Sequence, residues 1–312
     1  MRLSQDPLLS VIVIIASDTT QSQANVSLLA ACLEALSRQI DPPAMEVIVP
    51  YHHRVAGIDG LRRQFPHVDF VLVSDLRDWS QTGGSREHHD QLKSEALKRA
   101  RGQIIGFLED NEVPDPGWCA ATVKAHDRGY AGVGGAIENN VDRLLNWAVY
   151  FCDFGRYQNP VPEGESSFAS DANVAYKRRA LEDVRPVWED GLNEVTVNAA
   201  LASRGEKLAL SPDMVVYQQR YGLRLGPALR ERYVWGRSFG VVRCQVMGFP
   251  ARLSLAAMAP LLPGLVAMKL GKTAWSKRRN FGKFVQAFPL VWLLLMSWGW
   301  GELLGYLTRR PA

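Results

Sequence analysis

An acidic stretch that directly follows a short apolar run is the part of this sequence best suited to chemistry. Residues 106–118 read Gly-Phe-Leu-Glu-Asp-Asn-Glu-Val-Pro-Asp-Pro-Gly-Trp, and the apolar run before them is typical of a buried strand. Ligands of open α/β sheets bind beyond the carboxyl ends of the strands. The oxygens of Glu109, Asp110 and Asn111 would suit Mg2+ or Mn2+ held against a diphosphate. Alternatively, Asn111 and Asp115 cap the helix that follows.

The residues before this stretch alternate between strand and helix patterns. Strands are predicted at Ser10–Ala16, Glu46–Val49, Val68–Val73 and Gln103–Leu108, and helices at Asn25–Arg38, Gly60–Phe65 and Glu87–Arg101. The β-branched run at Ser10–Ala16 is typical of a strand buried on both faces, so we interpret it as a strand and not as a signal peptide. The alternation predicts an α/β protein with a doubly wound parallel sheet flanked by helices.

The pattern continues with weaker signals to about residue 220. Helices are predicted at Trp118–Arg128, Asp142–Tyr150, Arg178–Asp183 and Val195–Ser203, a strand at Gly132–Glu138, extended segments at Leu208–Leu210 and Met214–Gln218, and a mobile loop at Gln158–Ser167. Hydrophobic residues make up 47% of the 312 residues. This content is enough for a sizeable core, and the length could hold one large domain or two modest ones.

The C-terminal part of the chain has a different charge. From residue 220 onward there are 15 Lys and Arg against two acidic residues. Because these bases alternate with long apolar runs, we expect a membrane partner and no nucleic acid. Phe284–Leu307 is long enough to span a bilayer, whereas Leu253–Leu270 is interrupted by two prolines and suggests a re-entrant or in-plane element. A basic loop is predicted between them at Gly271–Lys283.

Other residues that could bind metals are interpreted as structural. The four cysteines are scattered, which indicates neither a disulfide framework nor a zinc site. The pairs His52-His53 and His88-His89 have no third ligand at a matching spacing, so we expect them on the surface.

Taken in order, the motifs resemble glycosyltransferase family 2, the inverting enzymes of the GT-A fold. The resemblance rests on the runs Ala96–Gly102, Leu108–Trp118, Asp171–Arg178 and Asn193–Gly205, and it covers roughly residues 8–220. It implies a division into a GT-A-like domain (1–220), a basic and aromatic connecting segment (221–252) and apolar membrane-associated helices (253–312).

The resemblance implies a nucleotide-sugar donor and a divalent cation. Asp110 is then the first choice for a metal ligand, with Glu109 on the ribose or the metal and Asn111 as a weaker oxygen donor. Ala16 and Ser17, just after the first strand, would receive the nucleotide.

Two further residues would contact the substrates. Lys93 would reach the uridine or the phosphate, although a lysine on such a helix can simply be solvated. Asn173 would hydrogen-bond the donor or the acceptor sugar, or would belong to a turn.

The resemblance also implies a general base that deprotonates the acceptor hydroxyl. Glu194 matches by motif position, and it opens a predicted helix whose dipole favours a charged carboxylate. It could also be an ordinary helix-opening Glu, and Glu189 and Asp190 are the reserve candidates. In the basic segment, Arg232 and Arg237 could pair with phosphates or simply form a basic face.

Three functions compete. The first is a glycosyltransferase at the cytoplasmic face of the inner membrane that acts on a glycan or lipid-linked acceptor. The second is an inactive GT-A-like membrane scaffold, suggested because Gln218 stands where the family has a metal-binding His, and Pro50–Arg54 where it has a base-contacting Asp. The third, a nicotinamide-dependent oxidoreductase, is disfavoured because the turn after the first strand lacks glycines.

Overall fold

The computed structural model describes residues 6–16, 26–74, 76, 86–245 and 247–310. The chain divides into unit 1, which consists of residues 1–138 and 159–219, and unit 2, which consists of residues 139–158 and 220–312. The three-part division derived from the sequence stays a prediction.

The strands of the described residues are β1 (Leu9–Ile14), β2 (Met45–Tyr51), β3 (Val68–Leu72), β4 (Ile104–Glu109), β5 (Glu112–Pro114), β6 (Gly132–Asn139), β7 (Gly164–Ser166), β8 (Asn173–Lys177) and β9 (Leu208–Gln218). The helices are α1 (Val26–Ser37), α2 (Ile58–Gln64), α3 (Arg86–Arg99), α4 (Trp118–His126), α5 (Leu144–Asp153), α6 (Arg178–Asp183), α7 (Arg185–Trp188), α8 (Glu194–Ser203), α9 (Leu225–Gln245), α10 (Phe249–Met258), α11 (Leu262–Ser276) and α12 (Phe281–Thr308).

The predicted α/β class is confirmed, and the sheet is mixed. Its strand order is β3-β2-β1-β4-β8-β6-β9-β5, with β7 paired to β9. The pairs β1–β2, β1–β4 and β2–β3 are parallel, whereas β8 runs antiparallel to β4 and β6. The parallel half is the part that the strand–helix alternation predicted.

The register of the sheet brings three predicted site segments to one edge. Ile14, the last residue of β1, pairs with Glu109, the last residue of β4. Leu108 in turn pairs with Asn173, where the antiparallel strand β8 begins. The ends of β1 and β4 and the start of β8 therefore adjoin one another.

The core of unit 1 lies on the faces of the central strands. Every residue of β1 is buried, as expected for an apolar strand with helices on both faces. Leu29, Cys32 and Leu33 of α1 are buried, and α3 contributes Leu92 and Leu97. The sheet edge that carries the acidic stretch is therefore held by the best-packed strand of the unit.

Two details of the sheet differ from the sequence-based expectations. The two extended segments predicted between residues 208 and 218 are one continuous strand, β9. The short strands β5 and β7 were not predicted, and β7 lies within the segment expected to be a mobile loop.

Unit 2 is helical, and α9 and α12 lie side by side in the same direction. Ser297 Oγ donates a 2.7 Å hydrogen bond to the Leu229 carbonyl near the start of the contact. A methyl group on Gly236 would overlap the carbonyl of Trp298, and one on Gly301 would overlap that of Tyr233. The absence of side chains at these glycines lets the two backbones touch.

The arginines of α9 are bound within unit 2. Arg232 is buried and forms an ion pair of 2.6 Å with Asp153 of α5. Arg237 donates 2.8 Å hydrogen bonds to the Tyr233 hydroxyl and the Arg310 carbonyl. Both guanidinium groups that the sequence suggested for phosphates therefore have protein partners.

The basic loop predicted at 271–283 is wrong over most of its length. Helix α11 continues to Ser276 and α12 begins at Phe281, which leaves four residues between them. The rings of Trp275, near the end of α11, and Phe281, at the start of α12, pack edge to face at 4.9 Å. This aromatic contact holds the two helix ends together and leaves room for only a short connection.

Candidate active site

The acidic stretch forms a tight turn between β4 and β5. The Asp110 amide donates a 2.8 Å hydrogen bond to the Ile14 carbonyl, and the Ala16 amide donates to Asp110 Oδ1 at 3.0 Å. Asp110 is 1% exposed. The turn is therefore hydrogen-bonded to the end of β1, next to Ala16. This agrees with the expectation that the acidic stretch and the residues after the first strand lie close together. Ser17 lies outside the described residues.

Glu112, which the sequence analysis did not single out, holds the turn from the other side. Its carboxylate accepts hydrogen bonds from the Glu109 amide at 2.9 Å and from Gln218 Nε2 at 2.7 Å. Glu112 and Gln218 are register partners on β5 and β9. Burial raises the pKa of Glu112, and the charge of Glu109 adds to that effect. The one signal for Glu112 in the sequence is its membership of the acidic run that contains Glu109 and Asp110.

The alternative that Asn111 caps a helix is wrong. Helix α4 has Gly117 at its N-cap, and no side chain bonds there. Asp115 instead closes a local turn, accepting a hydrogen bond from the Gly117 amide at 3.0 Å. Asn111 is buried, and its main-chain carbonyl accepts from the Gln219 amide.

Asn173 is fully buried at the same edge of the sheet. Its Oδ1 accepts a 2.9 Å hydrogen bond from the Trp118 indole. Its Nδ2 donates to the carbonyls of Ala136 and Met214 at 2.9 and 2.8 Å. The amide group therefore joins α4, β6, β8 and β9, which makes it a strong positioning element.

Lys93 is a buried cation, so the alternative of a solvated lysine is wrong. Its Nζ lies 2.8 Å from Asp171 Oδ2 and 3.4 Å from Asp90 Oδ1. Burial by itself lowers the pKa of Lys93, but the charges of Asp171 and Asp90 outweigh burial and raise it. The ammonium group therefore stays charged at every physiological pH.

Glu194 is the first residue of α8 and is buried. The N-cap residue Asn193 accepts from the amides of Val195 and Thr196, and its Nδ2 donates to Asp90 Oδ2 at 3.1 Å. Asp90 thus connects the start of α8 to Lys93, whose pKa the charge of Glu194 also helps to raise.

The reserve candidates differ from Glu194 in exposure. Glu189 and Asp190 are exposed, and Glu189 lies 3.6 Å from Arg185 on the same short helix. Burial favours the neutral form of a carboxyl group, so a buried carboxylate accepts a proton more readily than a solvated one.

The oxygen atoms of the turn fit a divalent cation that is held partly by its substrate. Within the described ranges, no three His, Cys, Asp or Glu side chains gather as a metal cluster. Asn111 Oδ1 and Gln218 Oε1 are buried and have no hydrogen-bond partner among the residues that the structure describes. Mg2+ typically binds one or two carboxylates and completes its shell with water and phosphate oxygens. Glu109, Asp110 and the amide oxygen of Asn111 match that pattern.

The histidine pairs are not on the surface as expected. His52, His88 and His89 are buried, and only His53 of the four is exposed. His52 directly follows β2, and the other two lie on the packed face of α3, which explains their burial.

Residues 89–185 match the sequence model of the family described as Glycosyl transferase family 2. The matched segment contains Lys93, the acidic turn and Asn173, whereas Ala16 and Glu194 lie on either side of it. The chain therefore carries a segment that is similar to this family, and that segment lies on a mixed α/β sheet. The resemblance seen in the motifs is confirmed.

No curated protein matches the sequence. Similar solved structures include TarS of S. aureus, at 13% identity and a TM-score of 0.46, where the match covers 73% of this chain and 39% of that one. TarS 1–349 in complex with UDP-GlcNAc is 13% identical, with a TM-score of 0.48, and the match covers 72% of this chain and 65% of that one. The mannosyltransferase PcManGT of Pyrobaculum calidifontis, in complex with GDP-Man and Mn2+, is 16% identical, with a TM-score of 0.48. The match covers 98% of this chain and 86% of that one.

Proposed function

We propose that this protein transfers a sugar from a nucleotide-sugar donor to an acceptor hydroxyl with inversion at the anomeric carbon. The observation that carries the proposal is the acidic turn, which lies inside the family segment and is bonded to the end of β1 through Asp110 and Ala16. In α/β sheets this edge is the place where nucleotides bind.

The acidic turn is proposed to hold the diphosphate end of the donor. Glu109, Asp110 and Asn111 supply oxygens there, and a bound Mg2+ or Mn2+ would stabilise the charge that develops on the leaving diphosphate. Ala16 and Ser17 are proposed to line the nucleotide side of the same edge.

Glu194 is proposed as the general base that takes the proton from the acceptor hydroxyl at its carboxylate. Asp90, which forms an ion pair with Lys93, fixes the start of its helix by accepting a hydrogen bond from Asn193. Asn173, whose amide is engaged by the protein, is proposed to position the acidic turn and not to contact a sugar.

A glycan or lipid-linked acceptor in polysaccharide or glycolipid synthesis is proposed, at the cytoplasmic face of the inner membrane. The supporting observation is the composition of unit 2. Phe249–Ser276 and Phe281–Thr308 are long and apolar enough to cross a membrane. In the most apolar 18-residue stretch of each, only 22% and 33% of the segment is buried within the protein.

The test is calorimetric titration of the detergent-purified protein with UDP, GDP and their sugars, with and without Mn2+. We expect Mn2+-dependent binding of one nucleotide, and an at least tenfold loss in Asp110→Asn, which keeps an acceptor for the Ala16 amide. Asp127→Asn, at the exposed end of α4, is the matched control. Absence of binding to every nucleotide tested would refute the proposal.

The second candidate is a catalytically inactive GT-A-like scaffold at a membrane. It is favoured by one observation, the hydrogen bond between Gln218 and Glu112, because an amide stands where the resemblance places a metal-binding imidazole. Under this alternative the protein binds neither nucleotide nor Mn2+ while keeping its membrane association.

A further inference from the structure

One face of α12 is apolar and exposed along the whole helix. The exposed side chains recur every three or four residues: Val285, Phe288, Trp292, Met296 and Trp300. Helices α10 and α11, which pack on α12, also carry exposed apolar side chains: Phe249, Leu253, Leu265, Met268 and Trp275. We call these ten residues the apolar face. Exposed apolar side chains concentrated in this way mark an interaction site.

The opposite side of α12 is covered by charged helices of unit 2. Its first half packs on α5 through Phe284 and Phe151, whose rings are 5.2 Å apart. Its second half packs on α9, which carries the exposed Arg230 and the partly exposed Arg237 and Arg243. If α12 crossed a bilayer, both companion helices would have to enter the hydrocarbon with it, and burying such charges there is costly.

The tryptophans also fit a helix that lies flat. At 1.5 Å per residue α12 is about 42 Å long, more than the ~30 Å hydrocarbon core. Trp292 lies near the middle of the helix and is 39% exposed. Tryptophan prefers the membrane–water interface. A spanning α12 would place Trp292 at the bilayer centre, whereas a flat one keeps Trp292 and Trp300 at the same interfacial depth.

The charge around the apolar face is complementary to anionic headgroups. Residues 249–310 contain nine Lys and Arg and one acid, Glu302. Glu302 is buried and accepts hydrogen bonds from Trp298 and Tyr306. Lys269, Lys272 and Arg278 are exposed next to the apolar face. Basic groups beside an apolar surface attract anionic lipid.

We propose that unit 2 lies in the plane of an anionic lipid surface, with the apolar face at the boundary between headgroups and acyl chains, and that α12 does not cross the bilayer. The inference deepens the proposed membrane association of the enzyme and does not depend on sugar transfer.

Depth measurements on the full chain test the orientation of α12. Single cysteines replace Val285, Phe288, Trp292, Met296 and Trp300 in turn, carry a spin label, and are measured by power-saturation EPR on vesicles of 70% phosphatidylcholine and 30% phosphatidylglycerol. We expect one depth for all five labels, about 5–10 Å into the boundary region. Wild-type protein taken through the same labelling gives the background of the four native cysteines.

A depth that is greatest at position 292 and decreases towards both ends would overturn the proposal in favour of a spanning helix. Labels that stay in water on vesicle-bound protein, or show contact with a second copy in place of lipid, would overturn it as well.

Charge substitutions test the lipid partner. The triple variant Lys269→Gln, Lys272→Gln and Arg278→Gln should bind these vesicles on the order of a hundredfold more weakly, since each base near the surface contributes about a fivefold effect. The matched control, Arg63→Gln, Arg99→Gln and Lys124→Gln, removes the same charge from exposed positions of unit 1. Equal losses in both variants would overturn the assignment of the surface.

Nucleotide titration of the same variants separates the two proposals. Loss of vesicle binding with unchanged nucleotide affinity would show that the substituted residues act in lipid binding alone and would leave the proposed transferase activity untouched. Normal vesicle binding of a protein that binds no nucleotide leaves the surface in place and removes the proposed transferase activity.

Discussion

Gln218 Nε2 donates a 2.7 Å hydrogen bond to the buried carboxylate of Glu112, across the register pair that joins β9 to β5. This bond closes the acidic turn from the side opposite β1. It also places an amide oxygen, Gln218 Oε1, in a buried position where no described residue donates a hydrogen bond to it. The position at which the resemblance places an imidazole is therefore next to the turn and carries an amide.

Gln218→His should strengthen Mn2+ binding by about tenfold or more, because an imidazole nitrogen is a better ligand for a transition metal than an amide oxygen. Titration of Mn2+ followed by EPR, with GDP or UDP present, measures the change. Gln219→His is the control on the adjacent residue. Unchanged Mn2+ affinity in Gln218→His would show that this position does not face the metal.

Glu194→Gln should retain donor binding and lose turnover by about a hundredfold or more, since an amide cannot accept the acceptor proton. The measurement is release of nucleoside diphosphate from whichever donor binds. Glu189→Gln, on an exposed carboxylate nearby, should keep its rate. Retained turnover in Glu194→Gln would transfer the role to Glu189 or Asp190.

Gly301→Ala should destabilise unit 2 by about 1–3 kcal/mol, because the added methyl overlaps the Tyr233 carbonyl in the contact between α9 and α12. Gly282→Ala is the control on the same helix, where a Cβ meets nothing within 4 Å. It should be neutral or stabilising by up to about 1 kcal/mol. Thermal unfolding in detergent compares the two variants, and equal midpoints would contradict the close packing of these helices.

Unit 1 should lose stability as the pH falls below 6.5. Burial lowers the pKa of His126, whose ring lies between the carbonyls of Thr122 and Ala175, from its ordinary value of 6.5. Because the unfolded chain binds the proton more readily, stability decreases from pH 6.5 towards the folded-state pKa, by at most about 1.4 kcal/mol per pH unit.

His126→Gln keeps an amide donor and should remove this contribution. Urea unfolding of both proteins between pH 8 and pH 5.5 measures the difference in slope. Parallel curves would mean that His126 is not the group responsible.

The sequence was sufficient for the parallel half of the sheet, because continuous apolar runs such as 10–16 leave few alternatives. It was insufficient for β5 and β7, since three residues show no periodicity. The acidic turn was located from its residue types alone. The surface position expected for His88 and His89 was wrong because the pattern of α3 does not reveal which polar residues face the core.

The contacts around Lys93 could not be derived from local sequence. Asp90 is a neighbour on the same helix, but Asp171 lies 78 residues away and meets Lys93 only after β8 joins the sheet. The same holds for the bond between Asp90 and Asn193. Pairings of this kind depend on tertiary structure, and a motif can name one partner without naming the other.

The packing of α5 against α12 has a consequence for biosynthesis. Phe151 finds its partner Phe284 only after the ribosome has added the intervening chain, on the order of ten seconds at typical translation rates. By then β9 has already been synthesised, so the sheet can form before α5 has its packing partner. During that interval the aromatic side of α5 lacks its contact with α12, and exposed apolar surface of this kind favours aggregation of incompletely folded chains.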